Sequence, residues 1–228
     1  MMKLNFGHVG VFTAMTYMKD VNDMFELSYV ISNKYYMKTT NYLLEKGVLV
    51  KTPYVAMQEQ VEFIENKNYM CGLNIFSHKR SLNTIEVGYI HEAIENNIFS
   101  MQLLTGFAQV ATENEIKKYF TEGKELTKKI IATLSDILLQ SDIQPPSARA
   151  GKVTDSVQSP FSNKLMMFIN SLIFSTALGF TSLGTSFSMR SDLPLKLGLI
   201  SKDTFEYAKE GAKIMIKHKW MEEPPQMG

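Results

Sequence analysis

Carboxylates and imidazoles on long helical segments are the side chains here with chemistry to offer, and their spacing limits what that chemistry is. Glu86, Glu92 and Glu95 fall on one segment, Glu122 and Glu125 on a second, and Glu206 and Glu210 on a third. Helical bundles that activate oxygen hold two iron ions with carboxylates from all four helices and a Glu-x-x-His pair on two of them. Hard iron ions need several bridging and terminal oxygen ligands, which imidazoles complete. No Glu-x-x-His occurs in this chain, and residues 160–190 contain no Asp, Glu or His. The pattern argues against a di-iron centre. His91 and Glu95 are an i, i+4 pair and the one weak candidate for a mononuclear metal site; a solvated pair on a helix face is the preferred reading. His8, His78 and His218 are scattered, and Cys71 has no activating partner near it in sequence. No catalytic residue and no cofactor are expected.

The remaining polar residues that stand out read as structural. Asn83 can cap a helix whose third residue, Glu86, reaches back, with Leu82 and Val87 as the hydrophobic staple. Thr112 and Glu115 repeat the device at the next boundary. Arg190 and Asp192, between two helices, are placed to cap helix ends and to pair with each other. Glu122 and Glu125, set among lysines, read as surface ion pairs.

The 228 residues carry 24 basic and 23 acidic side chains, a net charge of +1. Nucleic-acid binding needs a concentrated basic excess, so no nucleic-acid partner is expected. A single cysteine excludes an internal disulfide and fits a reducing compartment or a buried thiol. The first residues are apolar, but His8 and two glycines interrupt them and no small-residue cleavage site follows before Lys19 and Asp20, so no export signal is expected. Residues 165–187 are long and apolar enough to raise the question of a membrane span. They are also rich in Asn, Ser and Thr, which favours a bundle helix over a span, and the expected location is the cytoplasm.

Helical punctuation runs through the sequence and predicts six helices, over 5–18, 22–46, 83–110, 113–140, 160–190 and 201–220. Ser159-Pro160 reads as a cap followed by proline at the first helical position, and Ser201 with Asp203 as the start of the last helix. Gly47, Pro53, Pro145-Pro146 and Pro224-Pro225 read as stops. Residues 48–82 form a connector with one helical turn expected near Gln58–Asn66. Ile116, Tyr119, Phe120, Gly123, Leu126, Ile130, Leu134, Ile137 and Leu138 follow three-four spacing, the strongest apolar stripe in the chain. The segment 160–190 is apolar on most sides, with Ser171, Ser175 and Gly179 at four-residue spacing, and is expected to be the most buried helix.

The stretch from Asn41 to Pro53 parallels that from Lys213 to Pro225: an apolar helix end, a basic turn, two bulky apolar residues, then proline. Met18-Lys19-Asp20 and Arg190-Ser191-Asp192 lie upstream at nearly the same offset. The first two helices therefore correspond to the last two, giving half a repeat (1–47), a connector (48–82) and a whole four-helix repeat (83–228).

Several stretches carry a family likeness. They are Arg80–Glu86, Gly106–Ala111, Lys118–Glu125, Val153–Ser156 running into Ser159–Phe168, and Glu206–Ala212 leading to Trp220–Gln226. In these the chain resembles the duplicated ferritin-like proteins of spore-forming bacteria grouped as domain of unknown function 3231, which are loosely similar to spore coat proteins of the coat F type. The resemblance implies a ferritin-like bundle, spore association and no established activity. The leading expectation is a non-enzymatic structural or assembly protein that forms a homo-oligomer or meets a protein partner through residues 1–47. The alternatives are a binder of small apolar ligands, lined by Met166, Met167, Phe168 and Phe174, and a degenerate metalloprotein at His91 and Glu95.

Overall fold

The computed structural model describes residues 2–49, 55, 59–73, 79–146 and 153–226, with the side chains of residues 2–6 left aside. Among these residues the chain is all-α, with no strands. The helices are α1 (Met2–Met15), α2 (Lys19–Glu45), α3 (Thr84–Val110), α4 (Asn114–Leu139), α5 (Asn163–Phe187) and α6 (Asp192–Lys217). They fall into two compact units, Met1–Lys51 and Thr52–Gly228.

In the first unit α1 and α2 form a helical hairpin. Phe12 stacks on Phe25 at 5.9 Å, and Val9 and Ser32 are buried. The helix α2 ends with Gly47 at φ +62°, the left-handed conformation that glycine adopts without penalty. The Gly47 and Val48 amides then donate to the carbonyls of Leu44 and Leu43.

The second unit is a four-helix bundle in which α3 packs on α4 and α5, and α6 packs on α4 and α5. Hydrogen bonds fix the directions. The α5 side chain of Asn163 donates to Thr112 and Glu113 at the far end of α3, and the amides of Met189 and Arg190, after α5, donate to Glu86 near the start of α3. Thus α5 runs antiparallel to α3 and parallel to α4, and the connection from Leu139 to Asn163 returns along the bundle. Along it, the Gln109 amide donates to the carbonyls of Thr154 and Ser156 at 2.7 Å.

The α4 stripe is buried along its length, apart from the half-buried Leu126. One core cluster joins Ile90 and Ile94 of α3, Ile130, Leu134, Ile137 and Leu138 of α4, and Leu193 and Leu197 of α6. Leu82 belongs to it and Val87 packs against it, which is the staple expected at the start of α3.

Several expectations need correction. The helix α5 begins at Asn163, because the Ser162 hydroxyl caps it by accepting from the Leu165 amide. The Ser159 hydroxyl is turned instead toward the Phe161 carbonyl. Nor is α5 the most buried helix. Leu165, Phe168, Leu172, Leu183 and Phe187 face outward, and Ser175 and Gly179 lie on that same open side, so the small-residue row receives no neighbouring helix. The helix α6 starts at Asp192, not Ser201; Pro194 lies in its first turn, where an amide has no intrahelical partner to lose. Helix α4 starts after Glu113 with no side-chain cap, because the Thr112 hydroxyl accepts from Asn163. The turn expected near Gln58–Asn66 is a 3-10 turn at Lys67–Met70, opened by the Asn66 side chain, which accepts from the Asn68 amide. Pro53, Gln58 and His78 lie outside the described residues.

Candidate functional site

Two polar constellations occupy the second unit, one at the end of the bundle and one in its core. At the end, Asn83 and Glu86 form the reciprocal capping box: the Glu86 amide donates to Asn83 Oδ1 at 2.9 Å and the Asn83 amide to Glu86 Oε2 at 3.0 Å. The Glu86 side chain is completely buried, and Arg80 grips it with both terminal nitrogens at 2.7 Å. The amides of Met189 and Arg190 add two bonds of 3.0 Å to Oε1. Burial alone would raise the Glu86 pKa. The Arg80 fork and the backbone amides outweigh it and hold the carboxyl at about 2.

Arg190, also fully buried, donates Nε to Asp192 Oδ1 at 2.8 Å and Nη1 to the Arg80 carbonyl at 3.0 Å. Lys79 reaches the other Asp192 oxygen at 3.3 Å. The Arg80 guanidinium lies 4.0 Å over the Tyr69 ring and donates to the Tyr69 carbonyl, while the Ser191 amide donates to the Met70 carbonyl. The approach is close: a Cβ on Gly72 would stand 2.5 Å from Asp192 Oδ1. Arg80 and Arg190 face Glu86 and Asp192, with the more exposed Lys79 at the rim, and the cluster ties residues 69–72 and 79–83 to the α5–α6 turn. Such a cluster clamps the elements it joins.

In the core, Tyr119 of α4 and Tyr207 of α6 stack with ring centroids 4.3 Å apart and planes within 4°. Each hydroxyl donates to the backbone carbonyl of the other tyrosine at 3.2 Å, and Asn170 of α5 donates to both hydroxyls at 3.3 Å. One turn on from each tyrosine is a glycine over which the opposite hydroxyl lies; a Cβ on Gly123 would fall on the Tyr207 phenol, and one on Gly211 on the Tyr119 phenol. The two halves mirror each other in sequence as Tyr-x-x-Glu-Gly at 119–123 and at 207–211. This repetition was legible but fell outside the half-repeat register, which pairs other helices. Burial drives both phenol pKa values upward, so the hydroxyls stay protonated as donors.

The weak metal pair is only loosely brought together. His91 is buried on α3 with Nδ1 3.8 Å from Glu95 Oε1. Among the described residues no group of three or more His, Cys, Asp or Glu side chains converges. The two phenols and the amide of the core cluster are not the carboxylate and imidazole set that a di-iron centre uses. Glu115 pairs with Lys217 at 2.8 Å and lies 3.5 Å from His218; Lys217 is the first cause of its lowered pKa, followed by His218. Glu122 and Glu125 meet Lys118 and Lys128 at the surface. Met166, Met167 and Phe174 are buried, but Phe168 points out, so the four do not line one cavity. Cys71 is an exposed free thiol.

A family profile described as a protein of unknown function, DUF3231, matches residues 70–228. The chain belongs to that family. The DUF3231 match takes in the bundle and the clamp from Met70 onward. No curated protein matches the sequence. Among solved structures, the chain is similar to a crystal structure from Bacillus halodurans provisionally designated a spore coat protein, with TM-score 0.60 and 16% identity over 65% of this chain and 97% of that one. That likeness is one of fold. One described helix, α5, is long and apolar enough to cross a membrane; a third of its apolar window is buried, as in a helix packed on α3 and α6.

Proposed function

We propose that this DUF3231 protein is a non-enzymatic structural or assembly component associated with the spore, made in the cytoplasm and built on a ferritin-like bundle preceded by half of a second one. The observation that carries the reading is the core of the bundle. Its stacked phenols and bridging amide, Tyr119, Tyr207 and Asn170, are hydrogen-bonded to one another and to backbone carbonyls where the helices meet. Side chains engaged in this way hold helices together rather than meet a substrate.

Connectivity supports the ferritin-like part of the proposal: two hairpins are joined by one long return along the bundle, as in that class. The half-repeat has support in register. A single offset maps the end of α1 at Met15 onto the end of α5 at Phe187, and Glu45 of α2 onto Lys217 of α6. It also maps Gly47 onto Lys219, each with positive φ and followed by the same closing hydrogen bonds. The similar structure from Bacillus halodurans supports a place in the spore.

Fractionation of purified spores from the source bacterium tests the proposal. The chain is expected in the material released by detergent and reductant from the spore's outer layers. Recovery only from the soluble fraction of vegetative cells would overturn it.

A further inference from the structure

The first unit leaves a long apolar stripe open. On α2, Met24, Leu27, Ile31 and Tyr35 recur at three- and four-residue spacing, and all four are about half exposed or more. Exposed apolar stripes of this length mark association surfaces. The charges beside the stripe are not mixed at random. Asp20 and Asp23 lie on or beside it in the first half of α2, and Lys34 and Lys38 in the second, all exposed, while Glu26 falls on the opposite side of the helix. Lys19 and Glu45 break the trend at the two ends, and Lys19 pairs with Asp23 at 3.0 Å.

We propose that the occupant of this face is a second copy of the chain, its α2 running antiparallel to the first across a two-fold axis at Ile31. A two-fold contact requires a surface complementary to itself, so that what residue i meets, its counterpart meets in return. The α2 stripe meets that requirement. With Ile31 against Ile31 of the second copy, Leu27 comes level with Tyr35, and the acidic half of each helix lies along the basic half of the other. A parallel pairing would set like charges together along the whole helix. The second unit shows this sequence already using the arrangement within one chain, where antiparallel α4 and α6 meet through reciprocal tyrosines. The inference rests on the assembly reading but fails separately from it. A monomer found in spores would leave that reading standing, and a dimer absent from spores would leave this one.

Sedimentation equilibrium of the full chain over a range of concentrations tests it. The protein is expected at twice the chain mass. Ile31→Lys, which sets two like charges face to face on the axis, should return it to the single-chain mass with unchanged helix content by circular dichroism. Lys34→Glu with Lys38→Glu should weaken the dimer by at least about tenfold. Adding Asp20→Lys and Asp23→Lys in the same chain makes the stripe self-complementary again and should restore it. A single-chain mass at every concentration, a dimer indifferent to Ile31→Lys, or failure of the four-residue swap to restore association would each overturn the proposal.

Discussion

The Glu86 carboxylate carries more of the architecture than any other single charge. It closes the capping box, accepts both arms of Arg80, and receives the amides of Met189 and Arg190. Removing one partner from a buried ion pair leaves the other charge uncompensated, at a cost of about 3–5 kcal/mol. Glu86→Ala is therefore expected to lower the unfolding free energy by about that amount in urea titrations at neutral pH. The pH dependence has a definite sign. Because the folded pKa, about 2, lies below the ordinary glutamate value of 4.5, the folded state holds this proton more weakly than the unfolded chain. The stabilisation is complete above 4.5 and is lost as pH falls through about 2. Stability of Glu86→Ala should fall less steeply than the parent's across that acid window. Half of this site was legible in the sequence, since Asn83 and Glu86 are three residues apart and their bonds are local. Its other half was not, because the amides of Met189 and Arg190 arrive from the far end of α5, which no local pattern reports.

Among the elements, α4 and α5 mark what periodicity can and cannot say. The α4 stripe could be read because lysines occupy the opposite face. The segment of α5 carries one charged residue, Lys164, so no charged face marks which of its apolar residues turn inward. Packing against α3 and α6 makes that choice, burying Met166, Met167, Asn170, Ile173 and Phe174 and leaving Leu165, Phe168 and Leu172 out. Neighbouring residues should then behave in opposite ways. Met166→Ala is expected to cost about 2–5 kcal/mol as a buried large-to-small change, while Phe168→Ala should stay within about 0.5 kcal/mol. Comparable losses at both positions, measured by thermal or urea unfolding, would mean that the outward face of α5 is covered. The helix starts were misplaced for a related reason. Ser159 and Ser162 are both hydroxyls ahead of α5, and Pro194 is tolerated in the first turn of α6; Thr112 is drawn off by Asn163 of α5 and Ser159 by the neighbouring Phe161 carbonyl, which leaves Ser162 as the cap.

At the scale of the whole bundle, the hairpin of α3 and α4 is joined to that of α5 and α6 through the reciprocal tyrosines, with Asn170 bridging their hydroxyls. If the core is a packing device, its glycines exist for the approach of the opposing phenols and not for flexibility. That reverses the usual rule, under which glycine to alanine within a helix gains roughly 1 kcal/mol. The most direct measurement is a double-mutant cycle on Gly123 and Tyr207 by urea unfolding. Gly123→Ala alone is expected to destabilise by about 1–3 kcal/mol, since the new methyl falls on the Tyr207 phenol. In a Tyr207→Ala background the same change should become neutral or stabilising, giving a strong coupling between the two sites. Gly123→Ala that stabilises the parent protein, or that costs the same with and without the Tyr207 ring, would contradict the account of the core as a tyrosine-locked junction.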